Sequence, residues 1–235
     1  MPMKGSDSTE LREIDRWEDG VGWIAYPDEQ MQRASHALVD RERDDGDTET
    51  GQGGVWVVDP VDADDLDELL GEFGEVLGVV VLLDRHKRDA AAIARRHDVA
   101  VHRPTWMNSI DEAIDAPVRA LGTTLGGTEY RVRKRLDLPI WKEAVLYRPN
   151  DGSLLVPESL GTVDYFCAPG ERLGVHPMLR LTPPNGLGGL AVERLLVGHG
   201  SGVTEDAQQA IRDAIRGSRS RAPSLCVKLL RERLS

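Results

Sequence analysis

Asp84, Arg85, His86, Lys87, Arg88 and Asp89 form an unbroken run of acids, bases and one imidazole. The spacing D-x-H-x-x-D puts three groups able to ligate a metal ion on one short loop, together with three cations able to neutralise the acids or hold an anion. A second candidate is His199. It lies between Gly198 and Gly200, where glycine lets backbone approach closely and core packing gives no reason for an imidazole. Asp59 and Asp84 each have a plainer reading, as residues that hold turns or cap helix amides.

These residues need elements to carry them. Val79 to Leu83 is an aliphatic run without alternation, which predicts a strand covered on both faces. Ala90 to Arg96 predicts a helix, so the charged run lies at the carboxyl end of a strand, the usual place for chemistry in α/β proteins. Trp23 to Tyr26, Ala34 to Val39, Val55 to Val58 and Val99 to His102 read as further strands, and Leu66 to Phe73 as a short helix. Residues 40–54 are acidic and end in glycines, which predicts an exposed hairpin connection. Glu143 to Tyr147 and Ser153 to Val156 flank Arg148-Pro149-Asn150-Asp151-Gly152, a hairpin signal. Leu195 to Val197 is another buried-type strand, and Thr204 caps a helix expected over Glu205 to Ile215. Strands alternating with helices imply a layered α/β arrangement.

The chain has 235 residues, enough for one substantial core. We expect a polar lead over 1–15, one domain over 16–216 and an arginine-rich tail over 217–235. No apolar run reaches the roughly 18 residues of a spanning helix, and the first residues lack the apolar centre of a signal peptide; the expectation is a cytoplasmic protein with no membrane contact. Cys167 and Cys226 form no C-x-x-C pair, so neither a disulfide framework nor a thiolate zinc site is indicated. The net charge of −11 argues against nucleic acid as partner. Few lysines, many arginines and abundant aspartate resemble proteins of salt-accumulating halophiles, so the charge reads as a habitat signal. A small-molecule ligand or substrate is the expected partner, and self-association is left open. There is no G-x-S-x-G elbow, and Gly198 to Gly202 lacks the lysine and spacing of a P-loop. His36, His97, His102 and His176 read as structural or exposed, and the five tryptophans as packing anchors.

The order VWVVDP, VVVLLDRHKRDAAAIA, EAVLYRPNDGSLLVPES and LLVGHG resembles the metallo-β-lactamase-fold superfamily over about residues 20 to 215. The resemblance implies an αββα sandwich, two mixed sheets flanked by helices, with a metal site on loops at one edge. Asp59 then matches an aspartate that orients the metal loop, Asp84 to Asp89 the histidine-rich loop H-x-H-x-D-H, Glu158 a bridging aspartate and His199 the last metal-binding histidine. The loop departs from the pattern, since Asp84 stands on the first histidine, Arg88 on the aspartate and Asp89 on the final histidine. No histidine occurs in Ile140 to Glu143, where another ligand belongs, and Glu143 is the nearest substitute.

Two functions follow from the resemblance. In the first the chain is a metal-dependent hydrolase of a small ester, thioester, lactone or phosphoester. Asp84, His86, Glu158 (or Glu143) and His199 then hold one zinc, manganese or iron ion, Asp89 orients or deprotonates the water, and Arg88 stabilises developing negative charge. A guanidinium about 4 Å from a divalent ion costs about 8 kcal/mol at an effective dielectric near 20, so a second ion is not expected; Arg88, paired with Asp89 or Glu158, takes its place. In the second, the chain is catalytically silent, binds no metal, and uses Arg85, Lys87 and Arg88 to hold a small anion or a protein partner.

Overall fold

The computed structural model describes residues 11–41 and 53–234; most of the expected acidic connection lies outside them. In chain order the strands and helices are β1 (Arg12–Trp17), β2 (Gly20–Ile24), β3 (Ala34–Asp40), β4 (Gly54–Val58), α1 (Leu66–Gly71), β5 (Val76–Val80), α2 (Ala90–Arg96), β6 (Val101–Pro104), β7 (Val118–Leu121), β8 (Arg131–Leu138), β9 (Trp141–Arg148), β10 (Ser153–Val156), β11 (Leu160–Gly161), β12 (Gly174–Val175), β13 (Arg194–Val197) and α3 (Ala207–Leu234).

One sheet has the order β1-β2-β3-β4-β5-β6-β7 and a second β13-β10-β9-β8, with β11 and β12 as a small separate pair. Both large sheets are mixed. The first is antiparallel from β1 to β4 and parallel from β4 to β7; in the second only β10 and β13 run parallel.

Three apolar layers hold these elements together, and strand periodicity assigns each residue to one of them. Val57, Val79 and Val81 face α1 and α2, beside Leu66, Leu70 and Ile93. Val58, Val80 and Leu82 point the other way and meet Leu146, Leu155 and Leu196 of the second sheet. Val145, Leu154, Val156 and Leu195 look outward to Ala207, Ile211 and Ala214 of α3. The architecture is therefore helix, sheet, sheet, helix, the αββα sandwich. It also explains why the central strands read as continuous apolar runs: both faces are covered.

The run read as a strand over Val79 to Leu83 does two jobs. β5 ends at Val80, yet the chain stays extended. The Val81 amide donates to His102 O on β6 (2.9 Å), and Leu82 O accepts from Ala144 N on β9 (2.8 Å). This segment passes from one sheet to the other, so the loop that follows emerges at the seam between them.

The stretches read as lead and tail both carry regular structure. β1 begins inside the stretch read as a loose lead and pairs antiparallel with β2; as an edge strand with one wet face it needs few apolar residues and left little sequence signal. α3 runs through the stretch read as a tail. Leu225 is buried on the body, Ser218 Oγ donates to Arg180 O, and Lys228 Nζ donates to the carbonyls of Asp164 and Cys167.

Because Leu146 sits in the layer between the sheets, Leu146→Ala should cost about 2–5 kcal/mol of stability. Leu138→Ala, at a half-exposed position near the end of β8, should change it by no more than about 0.5 kcal/mol. Urea unfolding of both variants checks the difference.

Candidate metal centre

Three segments converge where the sheets meet. His86 comes from the loop after β5, Glu158 follows β10 through Pro157, and His199 follows β13 through Gly198. One ligand atom from each lies within 4.8 Å of the other two, and all three residues are buried. The glycines beside His199 are required by this convergence. A Cβ on Gly198 would come within 2.2 Å of Pro157 O, while Gly200 has φ +86° and would drive a Cβ into Thr162 Oγ1.

Each donor is held from behind. His86 Nδ1 lies 3.2 Å from Asp59 Oδ2, and Asp59 Oδ1 accepts from Leu82 N (2.9 Å). His199 Nδ1 is 2.9 Å from Met31 O. A carbonyl can only accept, so this fixes the proton on Nδ1 and leaves Nε2 as the lone-pair nitrogen. Among the described residues that Nε2 is buried without a hydrogen-bond partner, 3.9 Å from Glu158 Oε1. Behind Glu158, the backbone amides of Glu158 and Ser159 both donate to Glu143 Oε1 (2.8 Å each), and the Ser159 hydroxyl donates to Glu143 Oε2. Glu143, considered above as a ligand, is thus spent on orienting Glu158.

Burial sets the protonation of these groups. Desolvation raises the Asp59 carboxyl to about 7, partly offset by Arg88, the Leu82 amide and His36. Desolvation, then the charges of His86 and Arg88, hold His199 well below the usual imidazole range, which keeps its lone pair available. Burial holds the Glu158 carboxyl above its usual range, with Arg85 opposing the shift in part.

Two guanidiniums complete the centre. Although Arg88 keeps some exposure as a residue, its guanidinium is sunken and its Nε sealed from solvent. Nη1 donates to Ala34 O (2.6 Å) and Asp59 O (2.7 Å), Nη2 donates to Gly198 O (3.1 Å), and Nη2 lies 3.4 Å from His86 Nε2. Desolvation lowers Arg88 to about 10, with Asp59 opposing, so it remains a cation at neutral pH. Arg85 is more exposed. It donates to Glu158 Oε2 and Ile140 O and lies 4.1 Å above the Trp141 ring.

The residues singled out in the sequence therefore divide. His86, Glu158 and His199 come together. Asp84 stands beside them: its charge reaches Glu158, but among the described residues it is outside the three-donor group and its Oδ1 is buried and unpaired. Asp89 is turned away, its Oδ2 accepting from Asp62 N (2.9 Å); it follows an Arg88 backbone at φ +40°, which redirects the chain. The expected pairing of Arg88 with Asp89 or Glu158 is replaced by three backbone carbonyls, and with those bonds made its guanidinium is not offered to a substrate. His176, read as structural or exposed, closes the site instead: its Nδ1 accepts from Met178 N (3.2 Å), its Nε2 is 4.0 Å from Glu158 Oε1, and Trp141 and Phe166 pack edge-on against it. Its only sequence signal is the Pro177 that follows.

The donor set fits a metal ion. Two imidazoles and one carboxylate suit zinc, iron or manganese, and the unpartnered, correctly tautomeric Nε2 of His199 is the kind of buried atom an ion satisfies. Arg88→Met should cost about 3–5 kcal/mol by urea unfolding, the loss expected when a buried cation is removed from its partners. In Arg88→Asp, isothermal titration with zinc or manganese should show tighter binding than in the wild type.

No protein-family model and no curated protein sequence matches the chain, but solved structures do. The DIM-1 metallo-β-lactamase superposes with a TM-score of 0.57 at 15% identity, covering 92% of this chain and 99% of that one. A putative diflavin flavoprotein fragment from Nostoc sp. gives 0.61 at 11% identity, over 90% and 98%. A variant flavo di-iron protein from Thermotoga maritima gives 0.60 at 13%, over 89% and 62%. At such identities the likeness extends to the fold alone, and on that evidence, joined to the αββα layers and the rim at their seam, this chain has the metallo-β-lactamase fold.

Proposed function

We propose that this chain is a divergent metal-dependent hydrolase that holds one divalent ion between His86, Glu158 and His199 and acts on a small ester, thioester, lactone or phosphoester. The observation that carries this reading is the support behind every donor: Asp59 on His86, the Met31 carbonyl on His199, and Glu143 beneath the Glu158 backbone. Such outer partners fix ring orientation and tautomer, and on His199 they leave Nε2 buried with no partner among the described residues, aimed at the other two donors. An ion so held lowers the pKa of its water toward neutrality and polarises the bond to be cleaved.

The protein residues supply the rest. Asp84 Oδ1, buried and unpaired beside Glu158, is placed to accept a proton, the part first given to Asp89. Arg85, part-exposed over Trp141, is the guanidinium positioned to meet developing negative charge, the part first given to Arg88. Arg88 holds Ala34, Asp59 and Gly198 in place and, by its charge, limits the centre to one weakly held ion.

A second reading has its own support. The three donors are buried, and Arg88 already ties the surrounding segments together as a cation. On that reading the centre is catalytically silent, and the accessible Arg85 binds an anion or a partner.

Titration of metal-free protein with zinc or manganese should give one weak site per chain, abolished in His199→Ala, and hydrolysis of a panel of nitrophenyl esters and phosphoesters should depend on added metal. Metal-independent behaviour with no hydrolysis would favour the silent reading; two tight sites would contradict both.

A further inference from the structure

We propose a second binding site, distinct from the metal centre, for a small phosphate-bearing molecule in the cavity beside β8. The half-open cavity has a volume of about 390 Å³ and is lined by Thr123, Thr124, Arg131, Val132, Arg133 and Tyr147, a volume within the range of small-ligand pockets.

Its chemistry is the reverse of the chain around it. In a protein of net charge −11, Arg131, Arg133, Lys134 and Arg135 fall within five consecutive residues. Strand alternation puts Arg131 and Arg133 on one face, about 7 Å apart, while Val132 points into the layer between the sheets. Both arginines are exposed, and among the described residues neither forms an ion pair. The nearest acids in sequence are engaged elsewhere: Glu129 Oε1 accepts from Asn150, and Asp137 pairs with Lys134 and Lys142.

The walls are built. Val132 N donates to Thr123 O (2.8 Å) and Thr124 bridges to Arg131, fixing the threonines against the strand. The Tyr147 hydroxyl donates to Ala191 O (2.9 Å), so the phenol is spent and its ring serves as a floor, with Arg133 6.0 Å from its centroid. Two forked guanidiniums and two hydroxyls offer more donors than the two oxygens of a carboxylate can use, but match the three oxygens and near-double charge of a phosphate group. The site is separate from the rim. Arg131 pairs with Tyr147, four residues along β9 from Glu143, or about 13 Å at the rise of a strand.

The test is calorimetric titration of the full chain with inorganic phosphate, pyrophosphate and adenosine monophosphate, with acetate as control. The expected result is one saturable site for at least one phosphate probe and weaker heat for acetate. The double variant Arg131→Gln, Arg133→Gln should raise Kd about tenfold or more at an unchanged melting temperature, because both side chains are exposed. Arg85→Gln, which removes the accessible cation of the rim, should leave phosphate binding intact. Absence of saturable binding for every phosphate probe, wild-type affinity in the double variant, or loss of binding in Arg85→Gln would overturn the proposal. Binding of a short oligonucleotide without any of the small phosphates would overturn it as well.

Discussion

The buried charge of Arg88 organises the rim. Its guanidinium gathers the carbonyls of Ala34, Asp59 and Gly198, three segments that reach the seam from β3, β4 and β13. A guanidinium in this position must be matched by acceptors, or desolvation would make it prohibitively costly. The fold meets that demand with three backbone oxygens and the neighbouring Asp59 carboxylate. His86 and His199 are then placed by residues that Arg88 itself fixes, since Asp59 orients the first and Gly198 precedes the second.

This arrangement separates two tasks that a cluster of metal ions can perform together. Holding the seam closed falls to a covalently attached cation that cannot dissociate, which leaves His86, Glu158 and His199 as the three donors that could take an exchangeable ion. The cost is electrostatic, because any ion entering the three-donor group meets a permanent positive charge near His86. Asp84 and Glu158 offset that charge, Asp59 does so only in part because burial raises its carboxyl to about 7, and Arg85 draws on Glu158 from the solvent side.

Much of the fold was legible in the sequence because strands buried on both faces write themselves as aliphatic runs, and β4, β5, β10 and β13 did so. The hairpin at Arg148 to Gly152 and the glycines around His199 were equally plain, since turns and close approaches leave few residue choices. β1 and β8 were missed for the opposite reason: edge strands with a wet face tolerate arginine and glutamate, and their pairing is dictated by neighbours distant in sequence. The centre was half legible. His86 and His199 carried local signals, whereas His176 joined the site through packing against Trp141 and Phe166. Asp89 stands apart from the three donors because a single left-handed residue, Arg88, precedes it and its carboxylate accepts from the Asp62 amide, a turn that the sequence does not announce.

Anomalous diffraction from a crystal soaked in zinc should show one peak, bounded by His86, Glu158 and His199, with the Arg88 guanidinium still on the three carbonyls. Two peaks, or one peak where the guanidinium now lies with Arg88 displaced, would contradict that assignment.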